Sequence, residues 1–216
     1  MVSGIRFNKS LTLNGNGNKI DGLNQARIAL ISADNLAINN LTFYKGNGNT
    51  YFGNGNRGGG IGSIGNNITI SNCIFIENTA GMCAGAIDHW GSGKIIYILN
   101  CTFINNTGRD MVTINTQGGY ALANISGCIF INNGVSGNGI LCGGSANIID
   151  NAFIDNIGFP INFNSGIFND NWYGNNSPVL GSLISGPWPE TYLIVNLTGG
   201  DILNNSGGSI DFYLSF

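Results

Sequence analysis

In the stretch "GAIDHWGSGK", Asp88, His89 and Lys94 form the one compact set of an acid, a histidine and a base in this 216-residue chain, and His89 is its single histidine. A polysaccharide lyase needs a base to remove a proton and a cation to hold a sugar acid, both within reach of one substrate. If "GAID" is a strand, Asp88 and His89 turn to opposite faces, and the "WGSG" turn carries Lys94 further off. Asp88 has Asn115, not a second acid, at the equivalent place one repeat later. Asp150 and Asp155 flank Phe153 at a turn. The expectation is therefore a chain without catalytic residues, in which any binding survives Asp88→Ala.

Other chemistries find less support. "GNGNKIDG" and "GNGNRGGGIG" lack the Lys-Ser/Thr of a phosphate loop and read as turns. The repeated Gly-Gly-x-Gly-x-Asp of calcium-binding solenoids is missing from the sequence. Cys73, Cys83, Cys101, Cys128 and Cys142 form no CxxC pair, and one histidine cannot complete a usual zinc set. Neither metal nor cofactor is expected, and the thiols read as buried and reduced. Among aromatic residues placed in loops or at strand ends, Trp90 and Tyr120 are the candidates for stacking on a sugar, with Tyr51 and Phe52 behind them.

Eight basic and eleven acidic residues give a net charge of −3, with no footprint for nucleic acid and no polybasic patch for anionic lipid. The longest strongly apolar run, Ile95 to Leu99, falls far short of the ~18 residues of a membrane helix. "MVSGIRFNKS" carries no basic segment followed by an apolar one, so no secretion signal is read there. The ends read as cut, and the chain as a piece of a longer protein.

The elements that position these residues follow from a repeated phrase: "SNCIFIENTAG", "LNCTFINNTG" and "SGCIFINNG". Aligned on its aromatic position, the phrase places Leu13, Phe43, Phe75, Phe103, Phe130, Phe153 and Trp172 in one column. Leu11, Leu41, Cys73, Cys101, Cys128, Asn151 and Asp170 form the column two residues earlier. Period-2 alternation puts both columns on one face of a strand. Asn/Gly-rich turns follow, and then short apolar strands around Ile87, Ile114, Leu141 and Ile161. Such a unit has no core of its own and must stack on its neighbours. The spacing predicts an all-β parallel β-helix over 1–177, with internal Phe and Cys ladders and Asn ladders at the bends. A Pro/Gly/Ser-rich linker is expected at 178–190, and the start of a truncated β-sandwich at 191–216.

The strings "LTLNGNGNKIDG", "LAINNLTFYKGNG", "SNCIFIENT", "LNCTFINNTG" and "NDNWYGNNSP" followed by "YLIVNLT" resemble the adhesin-like surface proteins of methanogenic archaea and related right-handed β-helix proteins. The resemblance spans nearly the whole chain and implies a right-handed coil, an Ig-like character for the sandwich segment at 191–216, and an extracellular or cell-surface location. It also implies a non-enzymatic stalk offering polar faces to a glycan or a cell-surface protein, without a membrane span in this chain. The alternative is a β-helix polysaccharide lyase or glycoside hydrolase. Sequons such as Asn8, Asn40, Asn67, Asn105, Asn124, Asn175, Asn196 and Asn204 permit glycosylation of a secreted protein.

Overall fold

A computed structural model describes residues 4–49, 56–108, 113–116, 121–134, 141–157, 161–174, 184–185 and 189–193. Within them the chain forms strands and no helix, and the pairing is parallel throughout. The result is a β-solenoid of about five turns. Three strand faces recur in each turn, and β8 (Thr79–Ala80) and β12 (Thr107–Gly108) add a short parallel pair after the third.

The first face stacks β1 (Ile5–Phe7), β3 (Ala29–Ile31), β5 (Ile61–Ser63), β9 (Ile87–His89), β13 (Ile114–Thr116) and the start of β16 (Leu141–Ile149). The second stacks the first halves of β2 (Thr12–Asp21) and β4 (Leu36–Tyr44) with β6 (Ile68–Ser71), β10 (Ile95–Leu99), β14 (Leu122–Ser126) and the end of β16. The third joins the second halves of β2 and β4 to β7 (Ile74–Ile76), β11 (Thr102–Ile104), β15 (Ile129–Ile131) and β17 (Ala152–Ile154).

The bends into and out of the third face have one recipe. Counting from the ring position, the residue at −3 is left-handed in every turn: Asn40, Asn72, Asn100, Gly127, Asp150 and Asp170. So is the residue at +2: Lys45, Glu77, Asn105, Asn132 and Asp155. Asn, Asp and Gly tolerate this conformation best, which is why the phrase is flanked by them. Lys45 and Glu77 take it without that advantage, and their side chains pair across the turns at 3.7 Å.

The column of aromatics stacks as the spacing requires. Phe43, Phe75, Phe103, Phe130 and Phe153 are buried, with successive ring centroids 4.7, 5.0, 4.8 and 5.0 Å apart. Two ends of the alignment need correction. Ile20, not Leu13, pairs with Phe43, while Leu13 pairs with Ile38 on the second face. The extra residues in "NGNGNK" form an irregularity between Asn14 and Asn18 and shift the register. At the other end Tyr173, not Trp172, stacks on Phe153, at 5.7 Å. The column at −2 then ends on Asn171 in place of Asp170.

The −2 column is one device with two chemistries. The thiols of Cys101 and Cys128 accept from the backbone N–H of Cys73 and Cys101, each at 3.4 Å. Asn151 and Asn171 continue the row, their Oδ1 accepting from Cys128 N–H at 2.9 Å and Asn151 N–H at 3.0 Å. The pattern that fades to the eye as Cys gives way to Asn is continuous in hydrogen bonding. Cys73, Cys101 and Cys128 are free and buried, and burial together with thiol–thiol contacts raises Cys73 and Cys101 well above the ordinary thiol range. The side chain of Cys142 lies outside the described residues.

The interior also absorbs a change of coil size. On the second face the column Leu36, Ile68, Ile96 shrinks to Ala123 and Ala146. Phe163, on β18 (Ile161–Ile167), fills space on the first face; a Cβ on Gly143 would meet its ring at 2.4 Å. Parallel pairing runs past residue 177: β19 (Ile184–Ser185) pairs with β18, and Tyr192 bridges to Asn171. Residues 194–216, expected to open a sandwich, lie outside the described residues.

Asn106, although it lies in a turn, is not solvated. It is fully buried, donates to Phe75 O at 2.9 Å, and accepts from the backbone N–H of Asn78 at 3.0 Å. Phe103→Ala is expected to cost about 3–5 kcal/mol. Asn106→Ala strands several buried polar groups at about 1–3 kcal/mol each, so a loss of roughly 2–5 kcal/mol is expected. Urea unfolding of both variants checks this; a near-neutral Asn106→Ala contradicts the buried ladder. Labelling of Cys73, Cys101 and Cys128 by a thiol reagent is expected to track global unfolding, and mass spectrometry is expected to find no Cys73–Cys101 bridge. Rapid labelling of the folded chain contradicts the inward placement.

Candidate functional site

The first face carries an outward row, one residue per turn. Its members in register are Arg6, Leu30, Gly62, Asp88, Asn115, Cys142 and Asn162. Asp88 thus has glycine on one neighbouring turn and asparagine on the other, as the sequence spacing implied for Asn115. Alternation sends Ile87 and His89 inward and Asp88 outward. His89 is buried in the interior, and Asp88 is buried as well because the outward row is partly covered.

Arg27 supplies much of the cover. It precedes β3, is only 5% exposed, and its Nε donates to the carbonyls of Arg57 and Gly58, both at 3.0 Å. Its Nη2 also donates to Arg57 O. The guanidinium lies over Gly62, where a Cβ would come within 3.0 Å of Arg27 Cζ. Gly62 therefore makes room for a charged group beside Asp88. Asp88 Oδ1 accepts from Asn115 Nδ2 at 2.6 Å. Burial raises the Asp88 carboxyl above its ordinary value; the Asn115 bond, then Arg57 and Arg27, pull the other way. Burial lowers Arg27, against the opposing charge of Asp88.

Trp90, two residues after Asp88, stands on the same outward side and is 40% exposed. Arg57 Cζ sits 5.6 Å from its ring centroid, and Arg57 Nη2 points to Met82 Sδ at 3.7 Å. Arg27, Leu30, Gly62, Ser63, Ile64, Asp88 and Trp90 line a recess with a volume of about 10 Å³, room for about one water molecule. Lys94 lies close by, donating to Ile64 O.

The structure therefore brings Trp90 together with Asp88 and separates His89 from both. Tyr120, Tyr51 and Phe52 lie outside the described residues. Arg27, Arg57 and Gly62 carried no sequence signal that singled them out, beyond an arginine embedded in the apolar run "ARIALI". Among the described residues, no three His, Cys, Asp or Glu side chains gather as a metal site would require.

His89 belongs to the interior. Its Nδ1 lies 3.2 Å from Ser63 Oγ, and its Nε2 meets no polar partner. Thr116, paired with the same column, also buries an unpartnered hydroxyl. An imidazole so placed cannot reach a substrate held on the outward row.

No protein-family model, curated protein or solved structure matches this chain. What the fold and recess define is a class: a parallel β-solenoid with an outward polar recess on its first face.

Burial, with the nearby charge of Lys94, lowers His89 to about 4. In the unfolded chain a histidine titrates near ~6.5. Between those values the unfolded state binds the extra proton, so stability present above pH ~6.5 is lost as pH falls toward about 4 and then levels. Asp88 acts in the opposite sense, since its raised carboxyl favours the folded state as the solution becomes more acidic. Comparing wild type with His89→Gln cancels the Asp88 contribution. The wild type is expected to lose on the order of 3 kcal/mol relative to the variant across this window. Equal pH profiles from urea unfolding contradict an imidazole buried in its neutral form.

Proposed function

We propose that this chain is a non-enzymatic, adhesin-like segment of an extracellular or cell-surface protein, a stiff stalk whose outer faces meet a glycan or a protein partner. The observation that carries this reading is the outward row around Asp88. Its neighbours in register are Gly62 and Asn115, and His89 turns inward. Acid–base cleavage of a sugar polymer needs two groups aimed at one bond. Here one carboxylate has glycine and asparagine, not a second acid, at its register positions on the adjoining turns. The second face supports the reading too, with outward amides and hydroxyls bonded from turn to turn: Ser71 to Asn39 at 3.1 Å and Asn147 to Asn124 at 3.0 Å.

The faces are not uniformly polar. The third face turns Ile74, Ile76, Ile104, Ile129, Ile131 and Ile154 outward, and Ile74 is 39% exposed. The second face mixes its amides and hydroxyls with outward Ile95, Tyr97, Leu99 and Leu122, so the third face suits a protein partner and the polar stretches of the other two a glycan. The exposed sequon residues Asn8, Asn40, Asn67 and Asn105 fit a secreted protein.

The test is a digestion of pectin, alginate and chondroitin with the purified chain, with and without calcium. Neither unsaturated products nor new reducing ends are expected. Product release that disappears in Asp88→Ala overturns the stalk and favours the β-helix lyase or hydrolase.

A further inference from the structure

The recess on the first face holds two buried side chains of opposite charge that the fold alone does not need. Asp88 and Arg27 are buried on the outer side of the sheet, where an apolar residue facing a loop would suffice. Replacing such a pair by apolar groups is often neutral or stabilising, so its presence asks for a reason. Beside it stands a partly exposed indole, and between them is a space of about one water. A group entering that space must be the size of a hydroxyl. It meets the Asp88 carboxyl, which burial pushes toward its neutral form while the Asn115 bond and the charges of Arg57 and Arg27 pull the other way. Where the carboxyl is ionised, the group that suits it is a hydroxyl donating a hydrogen bond. An incoming carboxylate would be set against Asp88 in a site with little water to screen it, and is too large for the space.

We propose that Asp88, Trp90 and the Arg27 guanidinium form a subsite for one ring of a neutral saccharide. A ring hydroxyl takes the place of the water and donates to Asp88. The apolar C–H face of the sugar lies along Trp90, as aromatic surfaces with adjacent polar groups commonly allow. Arg57, over the indole and bonded to Met82, holds the ring's position. Arg27 holds the 57–58 backbone, Asn115 holds the carboxylate, and Gly62 provides the seat of Arg27. This departs from the sequence expectation that binding is indifferent to Asp88. It rests on the non-enzymatic binding reading above and gives it a site and a ligand class.

The probes are cellohexaose, mannohexaose and galactohexaose, with hexagalacturonate as the anionic comparison, titrated calorimetrically into the full chain. At least one neutral oligomer is expected to bind, more tightly than hexagalacturonate. Asp88→Asn keeps the partner for Asn115 while removing the charge. It leaves buried Arg27 without its counter-charge and is expected to melt lower than the wild type, so binding is measured at a temperature where both are folded; there it is expected to weaken by about tenfold, the worth of a hydrogen bond to a charged group. Trp90→Ala is expected to weaken it to a similar degree, about tenfold. Wild-type affinity is expected to fall on acidification as Asp88 takes up a proton, and Asp88→Asn to give a flat profile. Absence of neutral binding up to roughly 1 mM overturns the subsite. So does preference for hexagalacturonate, or affinity unchanged in both variants. Reducing ends are measured in the same mixtures. Their release sinks the non-enzymatic reading and leaves the subsite standing, whereas intact oligomers with unchanged variant binding do the reverse.

Discussion

A chain that winds in short strands must turn corners inside its own core, and at each corner it turns inward N–H and C=O groups that ladder pairing does not reach. Leaving them unpaired costs about 1–3 kcal/mol each, more than a marginal fold can bear at every turn. The row Asn78, Asn106, Asn133, Asn156 answers this. Each Nδ2 donates to the ring residue's carbonyl one turn back, and Oδ1 accepts from the N–H of the turn before. Gly46 begins the row by donating its N–H to Asn78. Each amide works only with its neighbours on both sides, so the bends bind the turns together as firmly as the strands do.

That constraint explains the rest of the interior. With the bends fixed by amides at +3 and left-handed residues at −3 and +2, the strand between is short and its ring is placed without freedom. Five phenylalanines then stack at nearly one strand spacing. The −2 row tolerates either thiol or amide because its task is to accept a backbone N–H, which a sulfur does weakly and an amide oxygen does well. Variable turns lie outside this frame and vary from 20 to 32 residues between successive rings from Phe43 to Tyr173 without disturbing it.

The same rigidity serves the outward row. Asp88 projects from β9, and Trp90 follows directly after its end with its N–H bonded to Ser63 O at 2.8 Å, so their separation is set by the backbone. Arg27 arrives from another turn and is held by carbonyls of a third, 57–58. A polar recess built this way is preorganised, and a ligand entering it orders little that was loose before.

The solenoid was legible in the sequence because its signal is local and repeated: ring, thiol or amide, and left-handed residue recur at fixed offsets, and each offset has a backbone reason. The opposition of Asp88 and His89 was legible too, since alternation is a property of any strand. The burial of Asn106 was not, because an asparagine in a turn looks solvated until the next turn covers it. Leu13 and Trp172 were misplaced where a local insertion or a one-residue shift changed the register, which composition does not reveal. The recess was invisible for the same reason on a larger scale. Arg27, Arg57, Gly62, Asp88 and Trp90 come from three different turns, and only stacking, which fixes residues about thirty positions apart at one strand spacing, brings them together.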